Sequence, residues 1–185
     1  MFRRIVSLSF ALLVAICLSG CNVAEIGLNS NTLAQAKAGN PKAQFEIGSA
    51  YLVGDGVRKD SSRAALWFEK AAQQNHTYAQ MYLSSMYEDG DGVPRDLSKA
   101  AYWDKRAAEA GERDAQQRLA QRYYNGDGVA KDNTVAAEWF RKAAAQGQEG
   151  AKEMLREMTA KGPIAPDKTT QSKVAGFTAN DSQSK

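Results

Sequence analysis

The acidic run Glu88-Asp89-Gly90-Asp91-Gly92 is the segment with the best claim to chemistry, because carboxylates alternating ahead of a glycine can hold calcium. A helix–loop–helix calcium site wants acids at alternate positions before that glycine and a glutamate near the loop's end. Counting back from Gly92 puts Tyr87 where the first acid belongs, and Ser98 stands where the glutamate should be. The run therefore reads as a turn, with glycine supplying positive φ and aspartate supplying local backbone bonds. His76 is the single histidine, and no second histidine or free cysteine is there to share a metal with it. A solvated or capping role fits it better than ligation. With that one histidine unmarked by any partner, no Ser-His-acid triad can be assembled. Gly-x-Gly ends helical segments three times here instead of opening a phosphate loop. The tyrosines and tryptophans could stack sugars, but their fixed step and helical spacing point to core packing. The sequence thus predicts a protein that is not an enzyme and carries no cofactor and no metal.

What positions these residues is a repeat. Trp67, Trp103 and Trp139 fall 36 residues apart, and the same step links Ala43, Ala79, Ala115 and Ala151. Ile47, Leu83, Leu119 and Leu155 keep it, as do Tyr51, Tyr87 and Tyr123 and the glycine pairs beginning at Gly54, Gly90 and Gly126. Such a period marks stacked supersecondary units, none of which buries its apolar face alone. In the first unit Asn40-Pro41 offers an N-cap followed by a proline at the first helical position. Ala43, Ile47 and Tyr51 form one helical stripe, and Gly54 stops the helix in a left-handed C-cap. Asp60 is placed to cap a second helix whose apolar face is Ala64, Ala65, Trp67, Phe68, Ala71 and Ala72. The alanines allow close helix approach, and the tryptophans are expected to fill the gaps between hairpins.

The shared pattern is Ala-Gln-x-x-Ile/Leu-x-x-x-Tyr-x-x-Gly-x-Gly-Val-x-x-Asp-x-x-x-Ala-Ala-x-Trp-x-x-x-Ala-Ala. Tyr51 to Val57, Tyr87 to Val93 and Tyr123 to Val129 show it well. It resembles the Sel1-like repeat. The resemblance covers about residues 33–162 and implies an all-α fold: a right-handed α-solenoid of three helix-turn-helix repeats, near 40–75, 76–111 and 112–147, related to tetratricopeptide arrays and used for protein–protein contact. Residues 33–39 match the end of a second helix and are expected to cap the array at one end. Residues 148–162 match only a first helix, and their polar face, with Lys152, Glu153, Arg156 and Glu157, suits the other cap. Two departures stand out: Asp104 replaces the aromatic of Phe68 and Phe140, and Asn75 replaces the glycine of Gly111 and Gly147.

The first residues point to export. Met1-Phe2-Arg3-Arg4 precedes an apolar run from Ile5 to Ile16 that is shorter than the roughly 20 residues a bilayer span needs. Leu18-Ser19-Gly20-Cys21 follows and resembles the lipobox of bacterial lipoproteins. That resemblance implies a signal peptide over residues 1–20, cleavage before Cys21, acylation of Cys21, and a tether over residues 21–32. More than one acyl chain makes such anchoring stable. Asn22, where the inner-membrane retention signal would have an aspartate, favours the outer membrane facing the periplasm, with the inner membrane as the alternative. The chain has 24 Lys and Arg against 21 Asp and Glu, and losing Arg3 and Arg4 brings it close to neutral, which gives no basic face for nucleic acid. Residues 163–185 are rich in Pro, Ser, Thr, Gln and Asn and read as a disordered tail.

Positions that differ between repeats on the first helices are free to recognise a partner. Aromatics and arginine are frequent interface anchors, which singles out Phe45, Tyr78, Met81 and Tyr82 as a concave patch with Arg118 and Arg122 as charged neighbours. In a second arrangement of the same residues, Phe45 and Met81 pack between hairpins and only the tyrosines show. The expected function is a periplasm-facing lipoprotein scaffold that binds another protein as an adaptor of an envelope assembly. An immunity protein neutralising a secreted phospholipase or wall hydrolase is the alternative, and an envelope hydrolase or glycan-binding protein is the alternative of another class.

Overall fold

In the computed structural model, residues 28–160 are described. The signal segment, Cys21, most of the tether and the 163–185 tail lie outside the described residues. Eight helices and no strand occur among the described residues: α1 Ser30–Lys37, α2 Pro41–Val53, α3 Ser61–Gln73, α4 Thr77–Asp89, α5 Leu97–Glu109, α6 Arg113–Asn125, α7 Asn133–Ala145 and α8 Glu149–Ala160. No described helix is long and apolar enough to cross a membrane.

Local sequence sets the boundaries. The Asn40 side chain accepts from the Lys42 and Ala43 N–H groups, with Pro41 at the first helical position. Asp60, Asp96 and Asp132 open α3, α5 and α7 in extended conformation, each accepting from the N–H of a first-turn residue. Gly54, Gly90 and Gly126 close α2, α4 and α6 in the left-handed region. At the other turns that region is held by Gly39, Gly111 and Gly147, and at the departure by Asn75 with φ 64°. Asparagine is the side chain that tolerates it best.

The helices group into two compact units, α1–α4 and α5–α8. In the first, α1 packs on α2, α2 on α3 and α3 on α4. Its core is Ala43, Ile47, Tyr51, Ala64, Phe68, Ala72, Ala79 and Leu83, all buried. In the second, α5 packs on α6, α6 on α7 and α7 on α8. There Phe140 is fully buried among Ala120, Ala136, Ala137, Ala143, Ala151 and Met158.

The tryptophans do not share one environment. Trp103 is buried, but Trp67 and Trp139 are only half-buried, with the Lys70 and Lys142 ammonium groups 4.3 and 3.7 Å from their ring centres. Phe68 and Phe140, one residue further on, are completely enclosed. A lysine three residues after the tryptophan covers its outer face and gains cation–π attraction, so the indole sits at the rim of the packing.

Buried glutamines join consecutive helices. The last carbonyls of a helix have no partner within it. Gln44, Gln80 and Gln116 each donate from Nε2 to such a carbonyl, of Ala36, Ala72 and Ala108, at 3.2, 3.0 and 3.2 Å. Gln74 and Gln146 then donate to the Gln44 and Gln116 side-chain oxygens at 2.8 and 2.9 Å. This is why glutamine follows the alanine at the third position of the first helix in every full repeat.

Candidate functional site

In the first unit, α2, α3 and the start of α4 bring five rings together. Phe45 is at the centre. Its ring lies 5.5 Å from Phe68, 4.8 Å from His76, 6.4 Å from Tyr78 and 5.7 Å from Tyr82, measured between centroids. Tyr82 also stacks on Phe68 at 5.2 Å. Phe45 and Met81 are half-buried, whereas Tyr78 is 58 % and Tyr82 44 % exposed. Phe45 thus packs beneath the two tyrosines, which are the exposed members of the set. Exposed aromatics backed by packed rings are rigid and amphipathic, the character of interface anchors.

His76 belongs to this cluster, which the sequence did not indicate. It is the N-cap of α4: its Nδ1 accepts from the Ala79 N–H at 3.3 Å, and its ring stacks on Phe45 at an interplanar angle of 21°. Burial against the rings holds its pKa below the usual 6.5, with a backbone hydrogen bond opposing in part.

The second unit treats the corresponding positions differently. Arg118 on α6 is partly exposed and its Nε lies 3.3 Å from Asp104 Oδ1. Arg122, expected on the surface, is buried at 4 % exposure, and its Nε donates to Asp104 Oδ2 at 2.6 Å. The correction has a plain cause: Asp104 occupies the fully enclosed position of Phe68 and Phe140, and a carboxylate there has to be neutralised from within. Arg122 is therefore a core residue and not a contact for a partner. The signal was present in the sequence, because the one repeat with aspartate at this position is also the one with arginines 14 and 18 residues later.

The acidic run ends α4 and turns at Gly90 with φ 74°. No group of three or more His, Cys, Asp or Glu that could hold a metal occurs among the described residues. An open cleft of about 300 Å³ beside α1 and α2 is lined by Leu28, Thr32, Glu46 and Asp55 among others, with no histidine or cysteine in its wall.

The Sel1 repeat family model matches residues 41–76, 77–112 and 113–148, so the chain belongs to the Sel1 repeat family. Among solved structures it is similar to c5321, a protective antigen present in uropathogenic Escherichia coli strains, at 35 % identity and a TM-score of 0.67 over 70 % of this chain. The chain spans only 28 % of that protein's length. A Sel1 repeat protein from Oxalobacter formigenes is 42 % identical with a TM-score of 0.65, covering 69 % of this chain and 96 % of its own. Cysteine rich protein B of Helicobacter pylori is 26 % identical with a TM-score of 0.53, covering 74 % of this chain and 99 % of its own. No curated protein matches significantly. Sel1 repeat proteins are generally non-catalytic scaffolds for protein–protein interaction.

Proposed function

We propose that the chain is a membrane-tethered binding module that captures a protein partner on the aromatic surface of its first unit, as an adaptor of an envelope assembly. The observation that carries this reading is the exposure of Tyr78 and Tyr82 over the Phe45 ring, at positions where the repeats otherwise differ. Tyr78 is the cleaner probe, because Tyr82 also stacks on Phe68. Replacing Tyr78 with alanine is expected to abolish recovery of the partner in crosslinking and affinity capture from the native cell. The melting temperature should stay within about 2 °C, since truncating an exposed side chain costs under about 0.5 kcal/mol. Undiminished capture by the variant would remove the surface from consideration. An envelope component among the captured proteins supports the adaptor role, and a secreted toxin supports immunity.

The tether is the second part of the proposal. Leu18-Ser19-Gly20-Cys21 supports acylation at Cys21, and Asn22 supports an outer-membrane position facing the periplasm, with the inner membrane as the alternative. Cys21→Ser is expected to move the protein from the membrane fraction to the soluble periplasmic fraction, because two or more acyl chains are what hold such a protein on a bilayer. A variant that still sediments with membranes would contradict lipid anchoring.

A further inference from the structure

We propose that His76 makes the Phe45–Tyr78–Tyr82 surface acid-sensitive, because the helix that carries both tyrosines is capped by a neutral imidazole that also forms part of the surface. The N-cap bond from the Ala79 N–H ends on Nδ1, so that nitrogen has to keep its lone pair. The same ring lies flat on Phe45, 4.8 Å away, and 6.4 Å from Tyr78. Protonation at Nδ1 removes the acceptor and sets a cation at the positive end of the α4 dipole. The first turn of α4, which includes Tyr78, then loses its tie, and the stack against Phe45 is rearranged.

The repeat supplies its own control. Asn40 occupies the equivalent N-cap of α2 and accepts from Lys42 and Ala43 N–H through an amide oxygen that does not titrate. Glu112 at the next equivalent position makes no side-chain cap bond. Among the described helices only the α4 cap joins a capping bond to a titratable ring. The ionisable groups on the flanking elements are Lys42, Glu46 and Tyr51 on α2, Arg63, Glu69 and Lys70 on α3, and Tyr78, Tyr82, Tyr87, Glu88 and Asp89 on α4. Among the described residues none forms an ion pair with the imidazole, so none of these carboxylates holds it protonated.

The sign follows from burial. Enclosure against the rings lowers the folded pKa below 6.5, so the unfolded chain binds the proton first as the pH falls. Stability is complete above about pH 6.5, declines as the pH falls below it, and levels off beneath the folded pKa.

The test uses the full-length chain in detergent and needs no partner, so it succeeds or fails independently of the binding reading that gives the surface its meaning. As the only histidine, His76 gives one imidazole resonance to follow by NMR from pH 8 to pH 4.5. A midpoint below 6.5, with Tyr78 and Tyr82 ring signals shifting at the same midpoint, is expected. Wild type should lose about 2–4 °C of melting temperature between pH 8 and pH 5 relative to His76→Asn, whose amide caps at either pH. An imidazole midpoint at or above 6.5, tyrosine signals that ignore the titration, or parallel melting curves for the two proteins would each overturn the proposal. The first two readouts come from wild type alone and do not depend on the variant folding.

Discussion

Asp104→Ala is expected to lower the free energy of unfolding by about 3–5 kcal/mol, the usual cost of leaving a buried charge without its partner. The carboxylate is wholly enclosed and accepts from Arg122 at 2.6 Å, with Arg118 3.3 Å away. Removing it takes the carboxylate away from a guanidinium that is itself 4 % exposed. Arg118, with about a third of its side chain exposed, is solvated and adds less. The repeat shows what the site would otherwise be. In the first unit Phe68 stacks on Tyr82, four residues before buried Met86. In the second, Phe140 packs in a cluster with Met158 and Met154. One step of 36 carries Phe68, Tyr82 and Met86 onto Asp104, Arg118 and Arg122, and a second step carries these onto Phe140, Met154 and Met158. The middle set exchanged an apolar contact for an ionic one at all three positions together. The triple variant Asp104→Phe, Arg118→Met, Arg122→Met is therefore expected to recover most of what Asp104→Ala loses, since well-packed hydrophobic replacements of buried ion pairs are often neutral or stabilising. Asp104→Phe alone, with both arginines in place, should be about as poor as the alanine. Urea midpoints at constant m value read all three. A triple variant no better than Asp104→Phe would show that the three positions do not act as one contact.

Much of this was legible because the 36-residue step turns a single chain into its own comparison set. Asn40, Asp60 and Gly54 could be assigned as caps from residue type and position alone, and the structure has all three in those roles. What the step could not reveal was depth. Trp67 and Phe68 are adjacent on one helix face and equally apolar, and only packing tells the half-buried indole from the enclosed phenyl. Arg122 was misplaced for a related reason. Arginine is read as a surface residue on average, and its partner Asp104 is 18 residues away on another helix, beyond any local pattern. His76 was recognisable as a capping residue, yet its place among the rings depends on Phe45, one repeat earlier in the chain.

Gly128→Ala is expected to destabilise by about 2–5 kcal/mol, combining roughly 1–2 kcal/mol for left-handed backbone with about 1–3 kcal/mol for forcing packed groups apart. Gly128 has φ +74°, and a methyl there would run into the Leu97 carbonyl and stand 2.9 Å from Ser98 N. Gly92 has the same φ in the first unit and the same relation to the Ser61 carbonyl and to Ser62 N at 2.7 Å. The two glycines of each Gly-x-Gly therefore do different things. Gly90 and Gly126 end α4 and α6, whereas Gly92 and Gly128 let the turn settle on the first residues of α3 and α5 within their own units. The obstructing atoms are backbone at a helix start, which cannot swing aside as a side chain would. Gly111 separates the two contributions: at φ +96° with nothing within 4 Å of an added methyl, its alanine variant carries the backbone strain alone and should cost about 1–2 kcal/mol. Chemical denaturation of Gly92→Ala, Gly128→Ala and Gly111→Ala checks the ordering. If Gly111→Ala proved as damaging as Gly128→Ala, backbone conformation would account for the second glycine and the close approach to the preceding helix would not.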